Sequence, residues 1–488
     1  MKMKRVLSIL LVLAVSLTLF AGCAQKQVTT STPDPTAASP ETTAAPTQTA
    51  EETPKVGGDI KMLTAVAGGK DADEMKLFEE ALGKATGFNI TMEKPASDYD
   101  NVMMQKLQGG EKYDLIYLNM AKYLSLIEQG ALLDLTDFMK SSKVFSDPAF
   151  VNPQELKDIE VDGKIYAGFN KKELHRVVGL NKVHLAAAQI DYKAIAPTLD
   201  GYYDVFKKLK ASIKTPNYYP FNGVVSEVYD LQPWFASVGL KSGVVKDSDG
   251  KKFVPYSTDA AAPVWEWLAK LHKEGLIDPA SAVDKTKDLR AKMGAASQLT
   301  SVVVDWAAWM GLHNANALAA NIGTDKYEVV SLPGTKTPDG KYMLVKGSAS
   351  LWVIPANANN PEGAKKILEY FAGQEGGELL SVGIEGYDYK IEGGKYVLTD
   401  IGKTHASDHG APVPIYEKFQ HPIGLNPGVD EALTYIQYAS IDLPIANEAD
   451  YKEIVGKWGV QIMKGEVDAA KGLAGMRAEL ISRKVTDK

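Results

Sequence analysis

Cys23 is the only cysteine in this 488-residue chain. With no second thiol, no intrachain disulfide can form. A fold of this length must then be held together by a large apolar core. The composition permits that, since 45% of the residues are hydrophobic. Beyond the first 22 residues no apolar run approaches the ~18 residues of a membrane-spanning helix. The remaining chain is long enough for two domains of ordinary size.

Cys23 also stands at a junction. Met1 to Arg5 is basic, Val6 to Phe20 is almost unbroken apolar sequence, and Ala21-Gly22 are small. This is the layout of a secretory signal. Ala21-Gly22-Cys23 resembles the bacterial lipobox, although Phe20 stands where Leu is usual and Leu19 lies one step further out. The resemblance implies removal of residues 1–22 and lipidation of the Cys23 thiol, anchoring the protein at the outer face of the cell membrane. The plainer reading is a secreted protein with an incidental cysteine. Loss of Lys2, Lys4 and Arg5 moves the formal charge from −7 to −10. An acidic exported chain argues against nucleic acid and against an electrostatic hold on an anionic membrane. Residues 23–56 are rich in Thr, Pro and Ala and contain no aromatic residue. Such a stretch buries too little surface to offset its ordering, and reads as a disordered tether.

The folded part reads as an alternation. Strand signals at Gly58 to Ala65, Phe88 to Met92 and Tyr113 to Leu118 alternate with helical stretches at Asp73 to Thr86, Tyr99 to Gln108 and Tyr123 to Glu128. Gly87 and Gly130 are helix stops. A second alternation begins near Val177. It has helices at Asp200 to Ile213 and Val264 to Lys273, and strands at Thr300 to Val304, Tyr327 to Leu332 and Ser350 to Ile354. Asn360-Pro361-Glu362 is a helix start, with a capping Asn and a Pro at the first position. The spacing predicts βαβ units, parallel sheets and two α/β domains. A cleft between two such domains is the default ligand site.

Several segments together resemble one family. They are Phe78-Glu79-Glu80 with Ala85-Thr86-Gly87-Phe88-Asn89-Ile90, Gln129 to Leu135, Val161-Asp162-Gly163-Lys164-Ile165-Tyr166-Ala167, Leu180-Asn181-Lys182, Pro197 to Tyr203, Asn360 to Ala364 and Gly383 to Gly386. Gly201 replaces the usual Glu. Their order is similar to that of the extracellular solute-binding proteins of bacterial ABC transporters, in family 1, the carbohydrate-binding group, and its Gram-positive lipoprotein branch. The resemblance implies a two-lobed periplasmic-binding-protein-like α/β fold of class II topology, with a hinge-crossing chain. Lobe one is expected from 57–172 with 350–405, and lobe two from 173–349 with 406–488. It further implies a monomer that traps a small solute, an oligosaccharide, and delivers it to ABC permease subunits. No catalysis and no cofactor are implied.

A sugar offers hydroxyls and flat C–H faces, so its site calls for acids, amides and aromatic rings. Asp305, Trp306 and Trp309 follow the strand at Thr300, where the family places a tryptophan pair against sugar; alternatively they are core residues. Glu227, Tyr229 and Trp234 lie in a segment similar to an E-x-Y-x-x-x-P stretch of the maltodextrin-binding branch; Trp234 is otherwise a buried helix residue. Asp98 and Tyr99 open a helix, which Asp98 caps in the plainer reading. Asn119 follows a strand at its carboxyl end, the usual ligand side of an α/β sheet. Glu173 sits near the first crossing, and Tyr387 follows a glycine-rich turn. Each of these last has a plain alternative as a solvated or surface group.

Other signals are set aside. His405 and His409 have i,i+4 spacing, but Gly410 and Pro412 break any helix and no third ligand is in view. Asp247 to Gly250 opens like a calcium loop but lacks the later ligands, and reads as a hairpin turn. Alginate binders of this branch carry a calcium loop after the helix that matches Asp200 to Ile213. Lys214 to Asn222 contains no such pattern, so neither calcium nor another metal is expected. The same scaffold binding a peptide, a glycoside-active enzyme and a sensor for a membrane kinase are the competing functions.

Overall fold

The computed structural model describes residues 57–69, 71–445 and 447–488. The leader, Cys23 and the tether lie outside the described residues.

The first alternation folds as its sequence suggests. Asp59–Leu63 leads into the helix Ala72–Thr86, whose N-terminus is capped by the Asp71 side chain, accepting from the backbone N–H of Asp73 and Glu74. Met75, Phe78 and Leu82 form its buried stripe, and Gly87 ends it at φ 78°, a left-handed conformation that glycine adopts without strain. The strands Asn89–Glu93 and Leu115–Leu118 then pair in parallel on either side of Asp59–Leu63. Leu351–Val353 returns much later in the chain and inserts antiparallel between Leu115–Leu118 and Ala167–Phe169, completing a five-stranded sheet. Asn360 caps the next helix, Pro361–Phe371, accepting from Gly363 N–H at 2.9 Å.

The second sheet runs Val329–Leu332, Arg176–Asn181, Thr300–Trp306, Tyr219–Phe221. Only its last pair is parallel; the other two are antiparallel. The expectation of parallel sheets throughout is corrected here. Runs such as Val302 to Val304 are apolar because both faces are covered, and burial on both faces says nothing about strand direction. Asp247 to Gly250 is the hairpin turn expected, joining Val245–Lys246 to Lys252–Phe253.

Each sheet has its own core. Met62, Phe78, Leu118, Trp352 and Phe371 belong to the first. Phe206, Phe221, Trp234, Trp265 and Tyr451 belong to the second, which the C-terminal helices Glu448–Met463 and Ala469–Ser482 cover. A smaller cluster around Val303, Met310 and Ala432 fills the other face of the second sheet. Ala411 and Ile415 still pack in the first core, beyond the expected boundary at 405. The crossing segments lie side by side. Asn170 Nδ2 donates to Gly410 O at 2.7 Å, Lys172 N–H to Val413 O at 3.0 Å, and Gly347 N–H to Leu174 O at 3.0 Å. Among the described residues no helix is long and apolar enough to cross a membrane.

Histidines whose burial disfavours their charged form, His175 and His313 the most enclosed of them, make this packing pH-dependent. Burial pushes His175, whose Nε2 lies 3.0 Å from Ala432 O, down to about 4. Burial does the same to His313, against the raising influence of Asp305. Both are neutral in the fold, whereas an unfolded histidine titrates near ~6.5. As pH falls from that value toward about 4, the unfolded chain takes up protons that the fold refuses. Stability is therefore lost on acidification, by up to ~1.4 kcal/mol per pH unit for each histidine. Buried Asp230 and Asp442, both raised, act in the opposite direction. In urea titrations at about pH 7 and about pH 5, His313→Gln should lose less stability than the parent chain. Equal losses would refute this assignment.

Candidate functional site

A cavity of about 260 Å³ opens where the two cores face each other. Met120 and Ser350 come from the first-sheet side, and Arg176, Tyr229 and Trp306 from the second. A second cavity, also about 260 Å³, shares Lys171, Glu173 and Trp306 with the first and adds Trp309, Asp408 and Gly410. Trp306 thus belongs to the walls of both.

Local structure explains why an indole stands there. Trp306 is the last residue of the strand Thr300–Trp306, and the helix Ala307–Ala319 starts directly after it. The chain turns out of the sheet at this point, and the side chain is left half-buried. Gly347 on a neighbouring crossing makes the space: a Cβ there would lie 3.1 Å from the Trp306 ring and 3.0 Å from Glu173 Oε2.

Both indoles are backed by guanidinium groups. Arg176 lies 4.1 Å from the Trp306 ring centroid, and Arg290 lies 3.7 Å from that of Trp309, within cation–π range. The two arginines share one buried partner. Asp305 accepts from Arg290 Nε at 2.6 Å and Nη2 at 2.8 Å, and stands 3.8 Å from Arg176 Nη1. Its Oδ1 also accepts the Trp306 backbone N–H at 2.8 Å. Arg176 pairs in addition with Asp230, whose carboxyl is pushed up by burial while Arg176 opposes that shift. Asp305 is therefore a support beneath the tryptophans rather than a ligand-facing acid, which corrects the expectation for it.

At the other end of the first cavity, the Tyr229 hydroxyl donates to Glu448 Oε1 at 2.9 Å. Lys452 sits 3.2 Å from Glu448 and 4.8 Å from the Tyr229 ring centroid. The described lining of this cavity includes no histidine and no cysteine, so it offers no Ser–His or Cys–His pair for nucleophilic catalysis. What it does offer is an aromatic face beside several hydrogen-bonding charges.

Of the residues singled out from sequence, Glu173, Tyr229, Trp306 and Trp309 meet at these cavities. Glu227 lies behind, 3.8 Å from Lys452. Trp234 does not reach the cleft: it is fully buried, with Tyr202, Phe221 and Trp267 rings 4.9–5.4 Å away. Its neighbours Val228, Leu231 and Phe235 are buried too, so this part of the segment faces inward while Tyr229 turns to the cavity. Asn119 caps the helix Met120–Glu128, accepting from Lys122 N–H at 2.9 Å, and donates to Asp100 at 3.0 Å. Asp98 is exposed, makes no cap bond and accepts from Asn101 Nδ2 at 2.9 Å. The Tyr99 hydroxyl lies 2.8 Å from Tyr117 O and 3.0 Å from Leu63 O, tying its helix to two strands. Tyr387 donates to Glu74 at 2.9 Å. None of these last four lines either cavity.

Sequence reasoning missed Lys171, Arg176, Ser350, Asp442, Glu448 and Lys452. Arg176 left a signal, as a charge opening the otherwise apolar strand Arg176–Asn181. Glu448 and Lys452 look like any i,i+4 pair on a helix surface.

A model of the bacterial extracellular solute-binding protein family matches residues 68–378. No curated protein sequence matches the chain. Among solved structures it is similar to the alginate-binding protein AlgQ2 without calcium ion, at 18% identity and a TM-score of 0.64, covering 88% of this chain and 95% of that one. It is also similar to the ABC substrate-binding protein Lmo0181 from Listeria monocytogenes in complex with cycloalternan. That match has 15% identity and a TM-score of 0.64, and covers 88% of this chain and 99% of the other. A third is an ABC transporter solute-binding protein from Thermotoga lettingae bound with alpha-D-tagatose, at 14% identity and a TM-score of 0.64, covering 87% and 99%. The shared fold is the two-lobed, periplasmic-binding-protein-like α/β fold.

Proposed function

Since the chain belongs to the bacterial extracellular solute-binding proteins, we propose that it captures a carbohydrate between its lobes and delivers it to an ABC permease. The observation that carries this is the pair of half-buried indoles, Trp306 and Trp309, at adjoining cavities with Glu173, Lys171 and Tyr229 beside them. Indole faces suit the C–H faces of sugar rings, and the charged groups suit hydroxyls. Binding itself is the function, with no chemistry on the ligand. The names of the three similar structures, which mention alginate, cycloalternan and tagatose, support a carbohydrate.

Lobe one comprises 57–172 with 350–405 and the stretch through Ile415. Lobe two comprises 173–349 and the rest of the C-terminal part. Closure about the side-by-side crossings encloses the ligand and signals occupancy to the permease. The protein acts as a monomer, and a lipid on Cys23 holds it at the outer face of the membrane. Tethering raises its local concentration at the permease, so that contact can be weak.

One experiment tests both halves. The Cys23→Ser protein should be recovered from the medium rather than the membrane. Once purified, it should gain melting temperature with at least one member of an oligosaccharide panel, since a ligand stabilises by RT ln(1 + [L]/Kd). Membrane recovery of Cys23→Ser sinks the anchor. A panel without any shift sinks the carbohydrate.

A further inference from the structure

The pair set aside in the sequence, His405 and His409, acquires its third partner from a distance. The helix Asp400–His405 stops at His405, and Ala406 and Ser407 follow with φ of 52° and 49°. Two successive non-glycine residues in the left-handed region are unfavourable for side chains with a Cβ, and such strain concentrates at functional sites. Here the turn carries His409 back onto the same carboxylate as His405. His405 Nδ1 lies 2.6 Å from Asp388 Oδ1, and His409 Nε2 lies 3.1 Å from it. Asp388 and His409 are buried, and His405 remains partly exposed.

The outer partners orient this group. His405 Nε2 lies 3.1 Å from Glu74 Oε1, which also accepts the Tyr387 hydroxyl. With an ion bound, the Glu74 carboxylate would keep the proton on Nε2, and Nδ1, which faces Asp388 Oδ1, would ligate, the usual outer-sphere arrangement of metal-bound histidine. Ile384 N–H donates to Asp388 Oδ2 at 2.8 Å, leaving Oδ1 turned to the two rings. Gly383, at φ 104°, keeps the space open: a Cβ there would lie 2.3 Å from Asp388 Oδ2 and 2.6 Å from His409 Nε2.

We propose that Asp388 Oδ1, His405 Nδ1 and His409 Nε2 form a binding site for a divalent transition ion of the zinc class. One ligand atom from each residue lies within 4.8 Å of the others. Ligands about 2.0–2.1 Å from a tetrahedral ion stand roughly 3.3 Å apart, so on binding the two contacts to Asp388 Oδ1 would lengthen from 2.6 and 3.1 Å, and the two ring nitrogens, within 4.8 Å of each other, would settle at that spacing. Two imidazoles and one carboxylate suit zinc and its neighbours, whereas calcium takes an oxygen shell. The role is structural. The chain runs from His405 directly to Asp408 and Gly410, which wall the cavity beside Trp309, and Gly410 O holds Asn170 on the first crossing. An ion here pins that wall to the helix Ala72–Thr86 through Glu74.

The test uses purified protein without a polyhistidine tag. Zinc should bind at one equivalent and raise the melting temperature by several degrees, and a chelator should reverse this. Cobalt(II) should give the visible absorption of a tetrahedral ion with nitrogen ligands. His409→Gln and Asp388→Asn should each lose the zinc response. If either variant fails to fold, the zinc, chelator and cobalt measurements on the parent chain still decide. No zinc uptake by the parent chain would overturn the proposal, leaving His405 as a hydrogen-bonded bridge between two carboxylates. Undiminished uptake by a folded His409→Gln, or stabilisation by calcium with zinc inert, would also overturn it.

Discussion

Trp306→Ala and Trp309→Ala should each weaken carbohydrate binding at least thirtyfold, about 2 kcal/mol, while the melting temperature stays within a few degrees. The two readouts separate because of where the rings stand. Each indole is half-buried at a cavity wall, Trp309 resting against the edge of the cluster around Val303, Met310 and Ala432. Truncation therefore leaves a wider cleft and not an interior void, which is where large stability losses arise. What is lost is the flat face on which a sugar ring lies, together with its contact to the cation behind it, Arg176 for Trp306 and Arg290 for Trp309. The guanidinium groups stay in place, held by Asp305. Calorimetric titration with the sugar found in the glycan panel measures the first effect, and thermal unfolding of the free protein the second. If both variants lose stability heavily with little change in affinity, the indoles are core residues and the cleft assignment fails.

Asp305→Ala should produce the largest stability loss of any single change at the site, about 3–5 kcal/mol. Asp305 has no solvent exposure, and its carboxylate faces Arg290 directly and Arg176 at longer range. Removing it takes the direct partner from Arg290 and leaves Arg176 paired with Asp230. It also frees the Trp306 backbone N–H where the chain turns out of the sheet. Affinity should fall in the fraction that still folds, since neither indole keeps its backing. Asp305→Asn retains an acceptor of the same shape and should recover part of the stability. Urea unfolding of the three proteins checks this. A change within about 0.5 kcal/mol for Asp305→Ala, the range of an ordinary surface substitution, would show that the arginines are held by other contacts.

Much of the scaffold was legible because its signals are local. Asn360-Pro361 and Gly87 mark helix ends through bonds to their own neighbours. Tyr99–Gln108 has the expected bounds, whereas the strand expected to end at Val304 runs on to Trp306, and only Trp309 of the pair follows it. The site was legible only in part. Trp306 and Trp234 look alike in sequence, each an indole beside acids and apolar residues, yet one reaches the cleft and the other fills a core.

Apolar periodicity, end caps and the lone cysteine are properties of short stretches, and from them follow the helices, most of the strands and the need for a large core. Facing is different, because it depends on what other stretches bring from far along the chain. Leu351–Val353 enters a sheet begun at Asp59, and Gly347 admits the Trp306 ring. Asp388 completes a cluster whose two histidines have no third ligand in their own segment. Strand direction, the support of both indoles by one buried carboxylate and the histidine–aspartate cluster all arise from such long-range packing. No pattern within a single segment encodes them, because their energies exist only once distant segments are in contact.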